Sequence, residues 1–134
     1  MAYWLFRQEP SCYSFDDLER DGQTTWDGVN NAAALKNLRS TKPGDKVFFY
    51  HTGDIKAVVG IMEVTSEARP DPENEKSVVL DVKFVKRLKN PVTLAAIKAD
   101  EAFKEWELVR ISRLSVMPCP AALWKKIEAM AKAG

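Results

Sequence analysis

The hydrophobic and polar positions of the chain follow two periods, and each change of period marks a boundary between short strands and helices. Apolar residues alternate with polar ones in 77–88, where Leu80, Val82 and Phe84 share one face, as in a half-buried antiparallel strand. Gly60, inside another apolar run, predicts a bulge or a close backbone approach. Predicted strands lie at 2–7, 46–51, 57–64, 77–88 and 114–117.

Helical spacing appears between these runs and at the end of the chain. Ser14 and Thr93 are suited to cap helices, because a hydroxyl oxygen accepts from the first free backbone N–H groups. Pro120 suits the first position of a last helix, whose apolar residues recur every three to four positions. Helices are predicted near 14–21, 32–40, 94–99, 101–106 and from 120 onward, with a turn-rich segment at 26–31 and an exposed loop at 68–75.

The order of these elements excludes a doubly wound sheet, because strands and helices do not alternate regularly. A chain of 134 residues corresponds to one domain, so 1–134 is expected to be a single unit. The predicted fold class is α+β, with a small, curved, mixed but mostly antiparallel sheet or open β-barrel and short flanking helices.

Composition narrows the class of protein without assigning a function. The chain is 46% hydrophobic and 29% charged with a net charge of +1, which is ordinary for a globular domain. No apolar run is long enough for a membrane helix, and the N-terminus lacks the pattern of a secretory signal. The two cysteines are expected to be free thiols, with one long-range disulfide as the alternative. With a single histidine they make no four-ligand zinc site unless carboxylates join.

Charge is unevenly distributed behind this near-neutral total. Acidic residues dominate 1–30 and 61–75, whereas basic residues dominate 31–60 and 76–89. The net charge is not that of a strongly basic nucleic-acid binder. The pattern fits separate basic and acidic faces, and it also fits solvated strand and helix surfaces.

Motifs for common enzymatic chemistry are missing. The sequence contains no phosphate-binding glycine loop, no H-E-x-x-H and no G-x-S-x-G. A hydrolytic triad would have to use His51, the only histidine. Acidic pairs such as Asp16-Asp17 lie at predicted helix starts, where the helix dipole explains them.

Three residues suggest binding of a flat, polar ligand. Trp26 lies in a polar, glycine-bearing segment and offers a ring for stacking, although it would equally serve as a satellite core residue. Gln8, at a strand end, has an amide that both donates and accepts hydrogen bonds, as base edges require. His51 lies at the end of a predicted strand, beside a glycine turn, where ligand contacts are common. The alternative interpretation is that His51 is a surface histidine without a role in binding.

Six segments, in the same order, resemble the EVE domain family and together span residues 2 to 130. They are YWLFRQEP at 3–10, YSFDDL at 13–18, WDGV at 26–29, GDKVFFYH at 44–51, VGI at 59–61 and RLSVMP at 113–118. The resemblance implies a PUA-like fold, similar to the YTH domains that bind methylated adenine in RNA. It also implies a link with modified bases in DNA, notably methylated or hydroxymethylated cytosine.

By this resemblance, Trp26 forms a wall of a base pocket and is open to its guest, so that Trp26→Ala removes binding but shifts the thermal transition by only a few degrees. The remaining pocket contacts are Gln8, Glu9, Val29, Asn30, Asn31, His51, Arg113 and Ser115. The family usually has Ser at the position of Gln8, and it continues WDGV with Arg-Asn-Tyr or Arg-Asn-Pro. In this chain Asn30 takes the place of that arginine, so a strong contact to a phosphate or a base is lost. Ala32 takes the place of the ring residue, which leaves the pocket more open.

The sequence thus predicts a non-enzymatic, monomeric, cytoplasmic or nucleoid-associated module that binds DNA or RNA carrying a modified base, without cofactor, metal or membrane. The alternatives are a small hydrolase of modified nucleosides, with His51 or Glu9 as general base, and a protein-interaction domain. Phosphate contacts are expected from Lys36, Arg39, Lys46, Lys83, Lys86 and Arg87.

Overall fold

The computed structural model describes residues 2–111 and 113–132, which form seven strands and five α-helices. The strands are β1 (Tyr3–Gln8), β2 (Gln23–Trp26), β3 (Lys46–His51), β4 (Ala57–Val64), β5 (Arg69–Asp71), β6 (Asn74–Thr93) and β7 (Val116–Pro118). The helices are α1 (Phe15–Asp21), α2 (Ala32–Ser40), α3 (Leu94–Lys98), α4 (Glu107–Arg110) and α5 (Ala121–Lys132), with a 3-10 turn at Glu101–Phe103.

The strands form one mixed sheet in the order β2-β6-β4-β3-β1-β7, with β5 paired to β6. β1 and β3 are parallel, and the other described pairings are antiparallel. The sheet curls strongly, because the rings of Phe6 in β1 and Trp26 in β2 lie 5.5 Å apart although three strands separate β1 from β2. In the described ranges, hydrogen bonding ends at β2 and β7, so the sheet is open. The α+β, mostly antiparallel prediction is confirmed, and closure into a barrel is not.

Helix caps follow the local sequence. Ser14 and Asp17 form a reciprocal capping box at the start of α1. Asn31 and Thr93 accept backbone N–H groups at the starts of α2 and α3. These caps explain why helix starts are the best predicted boundaries.

Gly60 makes the close approach that its position predicts. A Cβ on this residue would overlap the buried ring of Phe15 from α1, and the β4–β6 register shifts between Val58 and Gly60. On the opposite face of the sheet, Trp124 of α5 stacks on Phe48, with the ring centroids 3.7 Å apart. The sheet is therefore covered by α1 on one face and by α5 on the other.

Five predicted elements differ from the structure. β2 lies where the turn-rich segment begins, and its four residues pair with β6. The expected loop at 68–75 contains β5, which forms a hairpin with β6. β6 extends well beyond 77–88, and β7 begins later than expected. The helical turn predicted at 101–106 begins as expected but is the 3-10 turn Glu101–Phe103, and α4 follows it. For β2 and β7, pairing with a strand distant in sequence accompanies the element, and local periodicity does not reveal it.

Both cysteines are free, as predicted: Cys12 is exposed and Cys119 is buried. Burial raises the pKa of the Cys119 thiol to about 12, so this group stays neutral and packs as a small apolar side chain.

Candidate functional site

A cavity of about 260 Å³ lies where β1 and β2 end. β1 contributes Gln8, β2 contributes the segment ending at Trp26, and the turn before α1 contributes Cys12 and Tyr13. This volume is just below the range of about 300–1,000 Å³ typical of drug-sized ligands, so it suits a single planar ring. The full lining is Gln8, Cys12, Tyr13, Thr24, Thr25, Trp26 and Asp27.

Trp26 has a double role that corrects the sequence expectation. Its side chain is only 3% exposed, and it packs on Phe6 and, edge to face at 5.4 Å, on Phe49. The indole is thus a core residue that also borders the cavity, and it does not present an open face. The alternative interpretation of Trp26 as a core residue is therefore correct as far as its packing is concerned.

Tyr13 places a second aromatic ring at the cavity, one that the sequence analysis did not select. The chain turns back after β1, because Cys12 and Tyr13 both donate their backbone N–H groups to the Glu9 carbonyl. The Tyr13 hydroxyl donates to Asp21 at 2.8 Å, and burial together with this carboxylate raises the pKa of the phenol. The signal available in the sequence was Pro10, which forces a turn just before the capped helix start.

The polar groups that line the cavity include a hydrogen-bond donor and an acceptor. The Gln8 side-chain oxygen accepts from the backbone N–H of Glu9 at 3.1 Å, which leaves the NH₂ group as the free donor. Asp27 is exposed and supplies a carboxylate acceptor. The Thr25 hydroxyl already donates its hydrogen to Asp81 at 2.9 Å, so it is not available as a donor to a ligand.

His51 is buried and acts as a structural link, which corrects both of its sequence interpretations. It lies beside Gln8 in the β1–β3 register and is 7% exposed. Its Nε2 accepts the backbone N–H of Phe15 at 3.0 Å, while Nδ1 has no hydrogen-bond partner among the described residues. Burial lowers the pKa of His51, and Arg87 lowers it further, whereas Asp16 and Glu9 oppose this shift. The Nε2 lone pair, which a general base would use, is thus engaged by a backbone N–H in this structure.

Glu9 lies next to the cavity but faces the turn after β3. Its carboxylate accepts from the hydroxyls of Thr52 and Ser11, at 3.1 and 3.4 Å. Glu9 is therefore neither a lining residue nor a poised base.

The other predicted pocket residues do not line the cavity. Val29 is buried, and its carbonyl accepts from Ser77; Asn31 caps α2 through its side-chain oxygen. Ser115 accepts the backbone N–H of Arg7 through its carbonyl. Asn30 and Arg113 are exposed outside the lining. The structure thus brings together only Gln8 and Trp26 of the nine predicted ligand contacts.

Half of the predicted phosphate contacts are already paired with acids. Lys46 and Lys83 both contact Glu63, and Arg87 contacts Asp16 and Glu19 of α1. These three cations therefore already have acidic partners in the free protein, and their contact with phosphates stays a prediction. Lys36, Arg39 and Lys86 are exposed, and no ion pair involves them within the ranges the structure describes.

Two further observations concern metals and membranes. Across residues 2–111 and 113–132, no cluster of three or more His, Cys, Asp or Glu side chains could hold a metal ion. None of the described helices has the length and apolar character needed to cross a bilayer.

Curated proteins include clear relatives of this chain. Thymocyte nuclear protein 1 of Rattus norvegicus is 33% identical to this chain over an alignment of 152 residues. The alignment covers 87% of this chain and 67% of that protein. The chain thus spans about two thirds of this relative's length.

Solved structures share the whole fold. A protein from Rhodopseudomonas palustris is 41% identical, with a TM-score of 0.92 over 98% of this chain and 93% of its own. Human THYN1, in complex with DNA containing 5-methylcytosine, is 26% identical, with a TM-score of 0.92 over 100% of this chain and 99% of its own.

A more distant likeness agrees with the predicted relation to YTH domains. The YTH domain of Zygosaccharomyces rouxii MRB1, in complex with N6-methyladenosine RNA, is 16% identical, with a TM-score of 0.61 over 98% of this chain and 87% of its own. At this identity the likeness concerns the fold alone.

The sequence model of the EVE domain matches residues 2–130, nearly the full length described above. With the relatives and the shared fold, this match confirms the resemblance found in the six sequence segments. The chain belongs to the EVE domain family.

Proposed function

We propose that this protein is a non-enzymatic reader of a modified pyrimidine base, such as methylated or hydroxymethylated cytosine, in nucleic acid. The observation that carries the proposal is the cavity of about 260 Å³ between Gln8 and Trp26, which has the size and the chemical lining for one pyrimidine ring. The complex of human THYN1 with 5-methylcytosine DNA, at 26% identity and full coverage, supports the same ligand class.

The proposed contacts match the edge of cytosine. The exocyclic amine of cytosine is a donor, which a carboxylate such as Asp27 accepts. The ring nitrogen and carbonyl are acceptors, which the free NH₂ group of Gln8 satisfies. Tyr13 provides the aromatic contact, and Trp26 supports it from the core.

The energetics make the fit of the modifying group decisive. Extruding a base costs a few kcal/mol, and stacking on an aromatic side chain returns about 1–3 kcal/mol. Burying one methyl group adds roughly 0.8 kcal/mol, so discrimination by one such domain is modest. A base that is already unpaired has the lowest extrusion cost and is bound most tightly.

The remaining free cations hold the sugar-phosphate backbone in this proposal. Lys36 and Arg39 lie on exposed positions of α2, which begins six residues after Trp26. Affinity should then fall as salt rises, because bound phosphates release counterions.

Hydrolysis is less well supported than binding. The two candidate bases, His51 and Glu9, are both held by hydrogen bonds within the protein. Incubation with modified nucleosides should therefore yield no product on chromatography, and turnover that disappears in His51→Ala would favour the hydrolase instead.

The central test is a binding titration with a matched variant. Duplex and single-stranded oligonucleotides carrying cytosine, 5-methylcytosine or 5-hydroxymethylcytosine are compared by fluorescence anisotropy. The wild type should prefer a modified base, and Gln8→Leu should weaken binding to all three bases, because it removes the NH₂ donor to the ring edge that they share. Gln23→Leu, at an exposed position of β2 outside the cavity, is the control and should behave as wild type. Equal affinity of the wild type for all three bases would refute the proposal.

A further inference from the structure

The turn between β3 and β4 carries an exposed apolar side chain beside the proposed base cavity. Ile55 is 47% exposed, which makes it the most exposed of the large hydrophobic residues in the described part of the chain. About half of this residue is therefore open to solvent in the free protein. It is therefore available to a partner without loss of core packing.

Backbone contacts tie this turn to the end of β1. The N–H of Thr52 donates to the carbonyl of Gln8 at 3.0 Å, and the Glu9 carboxylate lies against Gly53. Three extended residues span up to about 10 Å, so Ile55 lies within that reach of Thr52 at the edge that carries Gln8. The turn and the cavity thus belong to one continuous edge of the sheet.

The surroundings of Ile55 combine apolar area with positive charge. A shallow depression of about 440 Å³ separates the turn from α3 and has Leu94 and Ala95 among its walls. Lys56 and Lys98 border it and form no ion pair within residues 2–111 and 113–132, while Asp54 is the one acid of the lining. The patch therefore matches a ligand that has both flat apolar surface and negative charge.

A backbone hydrogen bond ties the turn to α3. Lys56 has a φ of 46°, in the left-handed region that non-glycine residues seldom adopt. Its carbonyl accepts the N–H of Leu94 at 2.8 Å, which anchors the turn to the start of α3. Ile55 is thus presented from an anchored turn rather than from a loose loop.

We propose that Ile55 packs into the gap that the extruded base leaves in the stack, while Lys56 and Lys98 contact the flanking phosphates. This inference rests on the reader function proposed above. Apolar side chains such as Ile insert between base steps in other proteins that distort DNA, because they replace lost stacking with apolar contact. The ligand of the turn is therefore the duplex that flanks the modified base.

The test uses a duplex with 2-aminopurine next to 5-methylcytosine, whose fluorescence rises when that step loses its stacking. Ile55→Ser should bind this duplex about tenfold more weakly than the wild type and give a smaller rise, because the buried apolar area is lost. Binding to the matching single strand should be unchanged, since no gap in a stack needs filling there.

Two variants serve as controls. Ile55→Met keeps an apolar side chain and should retain duplex binding, whereas Val85→Ser removes an exposed apolar side chain elsewhere, on β6, and should bind as wild type. Ile55 and Val85 are both exposed, so the fold should survive each change, which circular dichroism confirms. Replacing Lys56 and Lys98 by Gln should reduce the slope of affinity against salt by about 0.9 per lost phosphate contact.

The outcomes separate this inference from the reader function. If Ile55→Ser and Val85→Ser bind the duplex equally, the role of Ile55 is refuted while the reader function stands on the Gln8→Leu result. An equal loss for duplex and single strand would also refute it, because Ile55 would then be a general contact. A wild type that binds no oligonucleotide would refute both proposals.

Discussion

Replacing Trp26 by Ala should destabilise the domain strongly, because the structure places this ring in the core. An aromatic side chain buries about 150–250 Å² on folding, and Trp26 retains only 3% exposure. At about 25 cal/mol per Å² the transfer free energy alone is about 4–6 kcal/mol, close to the 3–5 kcal/mol typical of Trp→Ala substitutions. The substitution also removes the packing on Phe6 and Phe49.

A loss of this size is a large share of the 5–15 kcal/mol that stabilises an ordinary domain. It should lower the Tm by roughly 10–20 °C. Urea unfolding, followed by far-ultraviolet circular dichroism, measures the free energy of unfolding without depending on the tryptophan signal. Gln23→Ala, at an exposed position of the same strand, should change that free energy by less than about 0.5 kcal/mol.

The reasoning would be wrong if Trp26→Ala lowered the free energy of unfolding by less than about 1 kcal/mol, with an unchanged dependence of that free energy on urea concentration. The ring would then be open in solution, as the sequence alone suggested. Trp26→Ala is consequently a poor probe of binding, since any loss of affinity would include partial unfolding. Gln8→Leu is the better probe.

Three further predictions concern stability. Gly60→Ala should lower the free energy of unfolding by about 1–3 kcal/mol in urea titrations, because its Cβ displaces the ring of Phe15. Burial lowers the pKa of His51 below that of the unfolded chain, so stability should fall as pH drops below about 6.5. Thermal scans from pH 7 to 5 should show this slope in the wild type and its loss in His51→Gln, and equal slopes would contradict it. Asp45→Asn should cost about 1–3 kcal/mol in chemical denaturation, because three N–H donors face that carboxylate, whereas Asp54→Asn at an exposed position should cost almost nothing.

Elements whose signals are local could be predicted from the sequence. The capping hydroxyls of Ser14 and Thr93 and the runs that form β3 and β4 lie within a few residues of the structure they determine. β2 was missed because its four residues carry two threonines and no apolar alternation. Its strand conformation depends on pairing with β6, which is distant in sequence.

The site was harder to predict, because its residues meet only in the folded chain. Gln8 was found since a polar side chain at a strand end is visible in sequence. Tyr13 was missed because the turn that carries it back depends on the Glu9 carbonyl. The ion pairs between Arg87 and α1 could not be predicted from the sequence either, because the acidic partners of Arg87 lie about seventy residues away along the chain.

The burial of Trp26 changes how a guest base would be recognised. A ring that already packs on Phe6 and Phe49 has little surface left to offer, so most contact with a guest must come from Tyr13 and the Gln8 amide. In the proposed function, specificity then depends on a cavity with one wall held by the core, which should lower the entropy lost on binding. The same rigidity limits adaptation, so a larger modifying group should be excluded by shape rather than accommodated by movement of the indole.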